Sequence, residues 1–186
     1  MFHHVGTQRL QTERMILRRY VMGDAVDMFD NWVTDREAIR FWGWDAHENI
    51  EETRAILRSW IEDYQKPDNY HWVIQSKASG RAIGYIYLNE MDEHSGSCAV
   101  HFLLSRKHWG QGLMTEACGK VVSFAFEEAG ARKVATRHHE LNLACGRVLQ
   151  KCGFRYTRSE RRTFKDCPQI DGIYLFYEIE ASGRHQ

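Results

Sequence analysis

The chain has 186 residues, the length of about one domain, and 43% of them are hydrophobic, enough for a full core. Its 25 basic and 25 acidic residues balance to a formal net charge of +0, which leaves no global field to draw in nucleic acid or an anionic membrane surface. No stretch approaches the ~18 consecutive apolar residues of a membrane helix, and Met1-Phe2-His3-His4 opens no apolar run of signal-peptide length.

The five cysteines (Cys98, Cys118, Cys145, Cys152, Cys167) are odd in number and form no C-x-x-C pair. Free, mostly buried thiols in a reducing cytoplasm are expected. His138-His139-Glu140 has the look of a ligand cluster, but adjacent side chains on a strand point to opposite faces, so no metal site is expected. With no repeat, low-complexity segment or linker, one domain is expected over 1–186, its core over about 12–179.

Residues 15–20 read as a first strand. Asp24 is a candidate N-cap for a helix to Val33, with Val26, Met28, Phe29 and Trp32 for its apolar face. Asp35 suits a short second turn ending near Arg40. Phe41-Trp42-Gly43-Trp44 is an aromatic loop that either packs over a helix or lines a pocket. Asn49 or His47 leads into a helix whose apolar stripe is Thr53, Ile56, Leu57, Trp60, Ile61 and Tyr64, closed by Pro67-Asp68. Strands are expected over 70–76 and 82–89, joined by a turn at 78–81. In the second of them Ile83, Tyr85 and Tyr87 share one face and Gly84, Ile86 and Leu88 the other.

An apolar strand over 98–104 then runs into a glycine-bearing loop, Ser105 to Gly112, and a helix over 113–128 that buries Leu113, Ala117, Cys118, Val121, Val122 and Ala125 and ends at Gly130. Gly110 and Gly112 bracket one residue just where the helix begins. Glycine takes positive φ and lets a ligand approach the backbone, and a helix start offers unpaired N–H groups and partial positive charge. Together they suit a phosphate or pyrophosphate, with Arg106 and Lys107 as mobile charge at the rim. The same pattern also fits a plain strand-to-helix turn. The third glycine of a dinucleotide fingerprint and the Gly-Lys-Ser/Thr of a nucleotide-triphosphate loop are both missing. A strand over 133–137, a short helix over 142–151 ended by Gly153, and a closing hairpin of 154–164 with 170–179 complete a mixed α/β pattern.

The run His108-Trp109-Gly110-Gln111-Gly112-Leu113-Met114-Thr115-Glu116-Ala117 resembles the coenzyme A pyrophosphate loop of the GNAT N-acetyltransferases, in the form typical of the branch that includes the ribosomal-protein N-terminal acetyltransferases RimJ and RimL. Asn142-Leu143-Ala144-Cys145-Gly146-Arg147-Val148-Leu149-Gln150-Lys151-Cys152-Gly153-Phe154 resembles the family's second signature, and Thr12-Glu13-Arg14-Met15-Ile16-Leu17-Arg18 its first strand. The resemblance implies an α/β (α+β) GNAT fold: a mixed, mostly antiparallel sheet of six to seven strands flanked by helices, with two central strands splayed to admit the cofactor.

It also implies acetyl-CoA as co-substrate, no metal, and direct transfer of acetyl to a primary amine in a ternary complex. The acceptor is a protein N-terminus or a small amine, shaped by the aromatic loop and the second helix. Neither nucleic acid nor membrane is an expected partner, and the chain is a monomer or homodimer. A non-catalytic acyl-CoA sensor on the same fold is the alternative.

By that resemblance Phe102, Leu103 and Leu104 flank the pantetheine arm, and Lys107, His108, Trp109, Gly110, Gln111, Gly112, Leu113 and Met114 hold the pyrophosphate. Asn142 either bonds the pantetheine or simply caps its helix, and Arg147 either reaches the phosphates or lies in solvent. A backbone N–H near Leu103 is the expected oxyanion donor. Cys145 replaces the branch's Ser, and a thiol with an ordinary pKa of ~8.5 could exchange a proton with the leaving thiolate; equally, it is a small packed residue. Leu149 stands where other members carry Tyr, and Ala99 where the branch often has Glu. His101 or Glu90 could serve as base instead, or His101 is structural and water takes the proton.

Overall fold

The computed structural model describes residues 1–181. In chain order it contains β1 (Leu10–Gln11), β2 (Met15–Arg18), α1 (Asp24–Met28, widening into a π turn over Phe29–Val33), α2 (Arg36–Ile39), α3 (Ile50–Glu62), β3 (Tyr70–Ser76), β4 (Ala82–Asp92) and β5 (Ser97–Leu104). A short 3-10 turn, Arg106–His108, precedes α4 (Leu113–Glu127), followed by β6 (Lys133–His139), α5 (Leu143–Lys151), β7 (Arg155–Arg162) and β8 (Gly172–Glu180).

The strands form one sheet of eight, in the order β1-β2-β3-β4-β5-β6-β8-β7. The expected count of six to seven is corrected by the two-residue β1, which Leu10 and Gln11 add at the edge by pairing with Leu17 and Ile16. Neighbours are antiparallel except β5 and β6. Those two are in register only through Ser97–Lys133, Cys98–Val134 and Ala99–Ala135 among the described residues, and then diverge. Thr136 sits at the fork and donates its hydroxyl to the Val100 carbonyl at 2.7 Å, so the last backbone acceptor before the gap is satisfied by a side chain rather than by a strand.

Each sheet face carries its own core. On one, α4 packs Leu113, Ala117, Cys118, Val121 and Ala125 over Leu17, Trp72, Ile86, Val100 and Val134. On the other, α1, α2 and α3 bring Met28, Trp32, Ile39 and Leu57 onto Val73, Tyr85 and Leu103. Burial of this apolar area from both sides stabilises the long central strands β4 and β5.

Local departures from the expected pattern have physical causes. Asp24 is a buried ion-pair partner rather than a helix cap: both carboxylate oxygens receive the Arg18 guanidinium at 2.8 Å, and Oδ2 also accepts the Val21 N–H. Val26 and Ile56 face solvent at 48% and 38% exposure, outside the buried stripes of their helices. A bulge opposite Ile74 and Gln75 inserts Ile83 as an extra residue, which moves it to the α4 face with Ile86 and Leu88. Asn49 caps α3 through the Glu51 and Glu52 N–H groups, and Asp35 caps α2 in the same way.

Candidate active site

The gap between β5 and β6 opens into a cleft of about 440 Å³, floored by Phe102, Leu103 and Leu104 and closed on one side by the start of α4 and on the other by α5. Across the gap stand Arg40, at the end of α2, and Phe41 and Trp42 of the aromatic loop. The alternation of β5 decides which backbone groups face this space. The Ser105 N–H donates to the Ile83 carbonyl at 2.8 Å, and Tyr85 pairs with Leu103 in the same register. Leu103 therefore directs its N–H and C=O at β4, while those of Phe102 and Leu104 face the gap. Of the backbone N–H groups near Leu103 expected as the oxyanion donor, that of Leu103 itself is excluded on this ground, because it is committed to the sheet.

The loop from β5 to α4 is built around two left-handed glycines, Gly110 at φ +75° and Gly112 at φ +76°, the latter serving as N-cap of α4. Gly112 has no side chain to cap the helix, so the Leu113, Met114 and Thr115 N–H groups point outward, and Leu113, Met114 and Thr115 line the cleft. Uncapped N–H groups at the positive end of a 15-residue helix are arranged to suit an anion. Trp109 ties the loop to the strand by donating its indole N–H to the Leu104 carbonyl at 2.7 Å. His108 lines the cleft as well; burial and nearby Lys107 lower its pKa.

A brace that the sequence did not announce steadies this helix start. Glu116, in the first turn of α4, accepts the backbone N–H of Arg14 at 2.9 Å and its Nε at 2.7 Å. The same guanidinium donates from Nη1 to the Gln111 carbonyl at 2.8 Å. Arg106, expected as mobile rim charge, is instead held by Asp35 at 2.5 Å. Lys107 and Gln111 do not line the cleft; the Gln111 amide donates to the Lys107 carbonyl at 3.1 Å and stiffens the turn.

From the α5 side the cleft receives Asn142, Cys145 and Arg147. Asn142 is a true N-cap, accepting the Cys145 N–H at 3.2 Å, so the capping role holds whatever else its amide does. Cys145 is half-buried as a residue, yet its thiol is desolvated enough for its pKa to be pushed up to about 12. It is a protonated thiol at neutral pH, able to donate and unable to act as a base. Leu149 is fully buried in the core.

His101 and Glu90 lie beside one another, outside the cleft lining. The His101 ring stacks on Tyr87 with centroids 5.1 Å apart, and its Nε2, 4.0 Å from a Glu90 oxygen, is buried without a hydrogen-bond partner. Burial and then Arg137 lower the His101 pKa to about 4, against the pull of Glu90. Glu90 has φ +51°, an uncommon conformation for a non-glycine residue, at a bulge in β4, and is paired with Arg137 at 3.2 Å. His138 and His139 are absorbed structurally: His138 stacks on Tyr177 and His139 on Phe41.

Residues 14–155 match the family model described as an acetyltransferase (GNAT) domain. The chain is 27% identical over 146 residues to the uncharacterized N-acetyltransferase YoaA of Bacillus subtilis (strain 168), a match spanning 78% of this chain and 82% of that protein. Its fold is similar to that of Mycobacterium smegmatis RimJ in complex with CoA-disulfide, with a TM-score of 0.81 at 18% identity over 96% of this chain and 88% of that one. It is also similar to the ribosomal-protein-S5-alanine acetyltransferase of Vibrio fischeri, with a TM-score of 0.80 at 15% identity over 93% and 96% of the two chains.

Proposed function

This chain belongs to the acetyltransferase (GNAT) domain family, and on that premise we propose that it transfers acetyl from acetyl-CoA to a primary amine by direct attack in a ternary complex. The observation that carries the reading is the juxtaposition of an uncapped α4 N-terminus with a strand gap whose backbone groups, at Phe102 and Leu104, have no strand partner on that side among the described residues. A long thiol-bearing arm ended by a pyrophosphate suits both halves of such a cleft. RimJ, of like fold, binds a CoA compound.

The Leu113, Met114 and Thr115 N–H groups would hold the pyrophosphate, steadied by Arg14 and Glu116. The gap-facing groups of Phe102 and the Leu104 N–H would take the amide arm, the Leu104 carbonyl being held by Trp109, and the Phe102 and Leu104 N–H groups replace that of Leu103 as the donors available to a developing oxyanion. Asn142 and Arg147 flank the arm from α5. Acetyl-CoA supplies the activated acyl group as a thioester. Cys145 keeps its proton at Sγ, where it is available to a departing sulfur. His101, outside the cleft lining with its Nε2 buried and its pKa lowered to about 4, is too weak a base for the amine proton, which passes to water instead.

The test is release of free thiol from acetyl-CoA in the presence of a mixed panel of primary amines and peptide N-termini. Amine-dependent release with acetylated product detected by mass is expected; thioester left intact with every amine, despite bound cofactor, would remove the catalytic reading.

A further inference from the structure

On the α1–α3 face of the sheet, a second cavity of about 460 Å³ adjoins the cofactor cleft, and Trp42 lines both. Its walls are aromatic: Trp42, Trp44, Trp60, Tyr85 and Tyr87. Their rings hold one another in tilted contacts, Trp42 against Tyr85 at 5.6 Å and Trp60 against Tyr85 at 6.0 Å. Three side chains lining the cavity carry buried polar atoms without a partner: Asn69 Nδ2, His71 Nε2 and Asn89 Oδ1. Buried polar atoms in folded proteins are nearly always bonded. These three atoms have almost no accessible surface and lie behind the lining, so what a ligand meets in the cavity is the aromatic wall itself.

Charge narrows the ligand further. Among the described residues, Asp63 is the sole acidic side chain in the lining, and no Lys or Arg lines the cavity. Both histidines there are neutral at physiological pH, His71 because burial lowers its pKa to about 3 and His47 shifted the same way by burial. A carboxylate or phosphate on the ligand would be buried with no counter-charge. An ammonium group, by contrast, finds ring faces, while the carboxylate of Asp63 is already paired with Lys66 at 2.5 Å.

We infer that this cavity seats the acetyl acceptor, and that the acceptor is a primary amine on a compact aromatic or apolar body with no acidic group, its amine directed past Trp42 to the cofactor cleft. The inference rests on the acetyltransferase reading for the word acceptor, and on the cavity's own lining for the chemistry.

The experiment titrates the full chain, with and without CoA, against tryptamine and phenethylamine beside tryptophan, phenylalanine, spermidine and a peptide with a free N-terminus. Calorimetry reads binding, and thiol release from acetyl-CoA reads turnover. The two arylalkylamines should bind saturably, with kcat/KM at least about tenfold above each of the others, because a buried carboxylate or a second ammonium finds no free counter-charge in this lining. Trp44→Ala should weaken arylalkylamine binding about fivefold to tenfold while CoA binding is unchanged. Turnover of tryptophan, spermidine or the peptide at equal or higher kcat/KM would overturn the inference and leave acetyl transfer intact. Failure of the arylalkylamines to bind, with or without CoA, would overturn it too. Arylalkylamine binding lost in the variant but with no thiol release would uphold the cavity's ligand class and count against acetyl transfer instead.

Discussion

Arg14 and Glu116 lie 102 positions apart in sequence and are joined by two hydrogen bonds, from the Arg14 backbone N–H and from its Nε. Through Nη1 the same arginine also holds the Gln111 carbonyl. The first strand region thus fixes the loop that feeds α4, and it neutralises the one acidic side chain in the first turn of that helix. An anion cradle needs both effects, since an unneutralised Glu116 would repel a pyrophosphate at the helix start.

Arg14→Ala should therefore weaken CoA binding by about fivefold, corresponding to roughly 1 kcal/mol for a partly exposed charge-assisted contact. Adding Glu116→Gln to Arg14→Ala should recover part of the loss, because it removes the freed negative charge. Calorimetric titration of wild type, the two single variants and the double variant measures the coupling; strictly additive losses would show that the pair does not act on the cofactor through charge.

Gly84 is required by close approach. A Cβ there would meet the Leu103 carbonyl oxygen at 2.3 Å and Leu104 Cα at 2.9 Å, both backbone atoms of the strand that floors the cleft. Gly84→Ala should destabilise the fold by about 1–3 kcal/mol, lowering Tm by about 2–4 °C for each kcal/mol in a chain of this size. CoA binding should weaken with it, since the strand has to shift. Thermal unfolding and titration on the same sample check both; an unchanged Tm would mean that β4 and β5 separate at no cost.

Histidine burial gives the stability a pH slope. His101 and His71 have pKa values lowered to about 4 and about 3, against about 6.5 in the unfolded chain. The unfolded state binds the extra protons first as pH falls below about 6.5, so stability is full above that pH and is lost progressively toward pH 4. Each group contributes a slope on the order of 1 kcal/mol per pH unit in that window. Denaturant midpoints should fall between pH 7 and pH 5, and His101→Gln should flatten the slope. A slope of the opposite sign would mean that the rings are charged in the folded protein.

Cys145 separates chemistry from packing. Cys145→Ser keeps a proton donor in the same place and should retain most of kcat, whereas Cys145→Ala should lower kcat by about a hundredfold or more, the scale of a general acid, with CoA affinity unchanged. Stopped assays of thiol release on the three proteins decide it. Equal kcat in the alanine variant would reduce Cys145 to a wall of the cleft.

The glycine loop, the strand before it and the helix after it could be read from local sequence, because φ preference, helix starts and apolar periodicity are properties of neighbouring residues. Strand β3 was legible to its ends for the same reason. What escaped depends on register and long-range contact. The direction of the Leu103 N–H follows from the pairing of β5 with β4, and the face of Ile83 from a bulge. The Arg14 brace carried no signal, since the partners of its side chain and N–H lie beyond residue 110. Trp60 and Tyr85 read as ordinary apolar stripe residues, and only the packing of α3 on the sheet brings them to one cavity with Trp42.

The most direct test of the central claim is calorimetric titration of the protein with acetyl-CoA, run beside CoA and beside pantetheine lacking the nucleotide and pyrophosphate. Saturable one-to-one binding of acetyl-CoA and CoA, lost or greatly weakened for pantetheine, is the predicted result and would assign the α4 start as the pyrophosphate cradle. Absence of binding for all three, or equal binding of pantetheine, would contradict it.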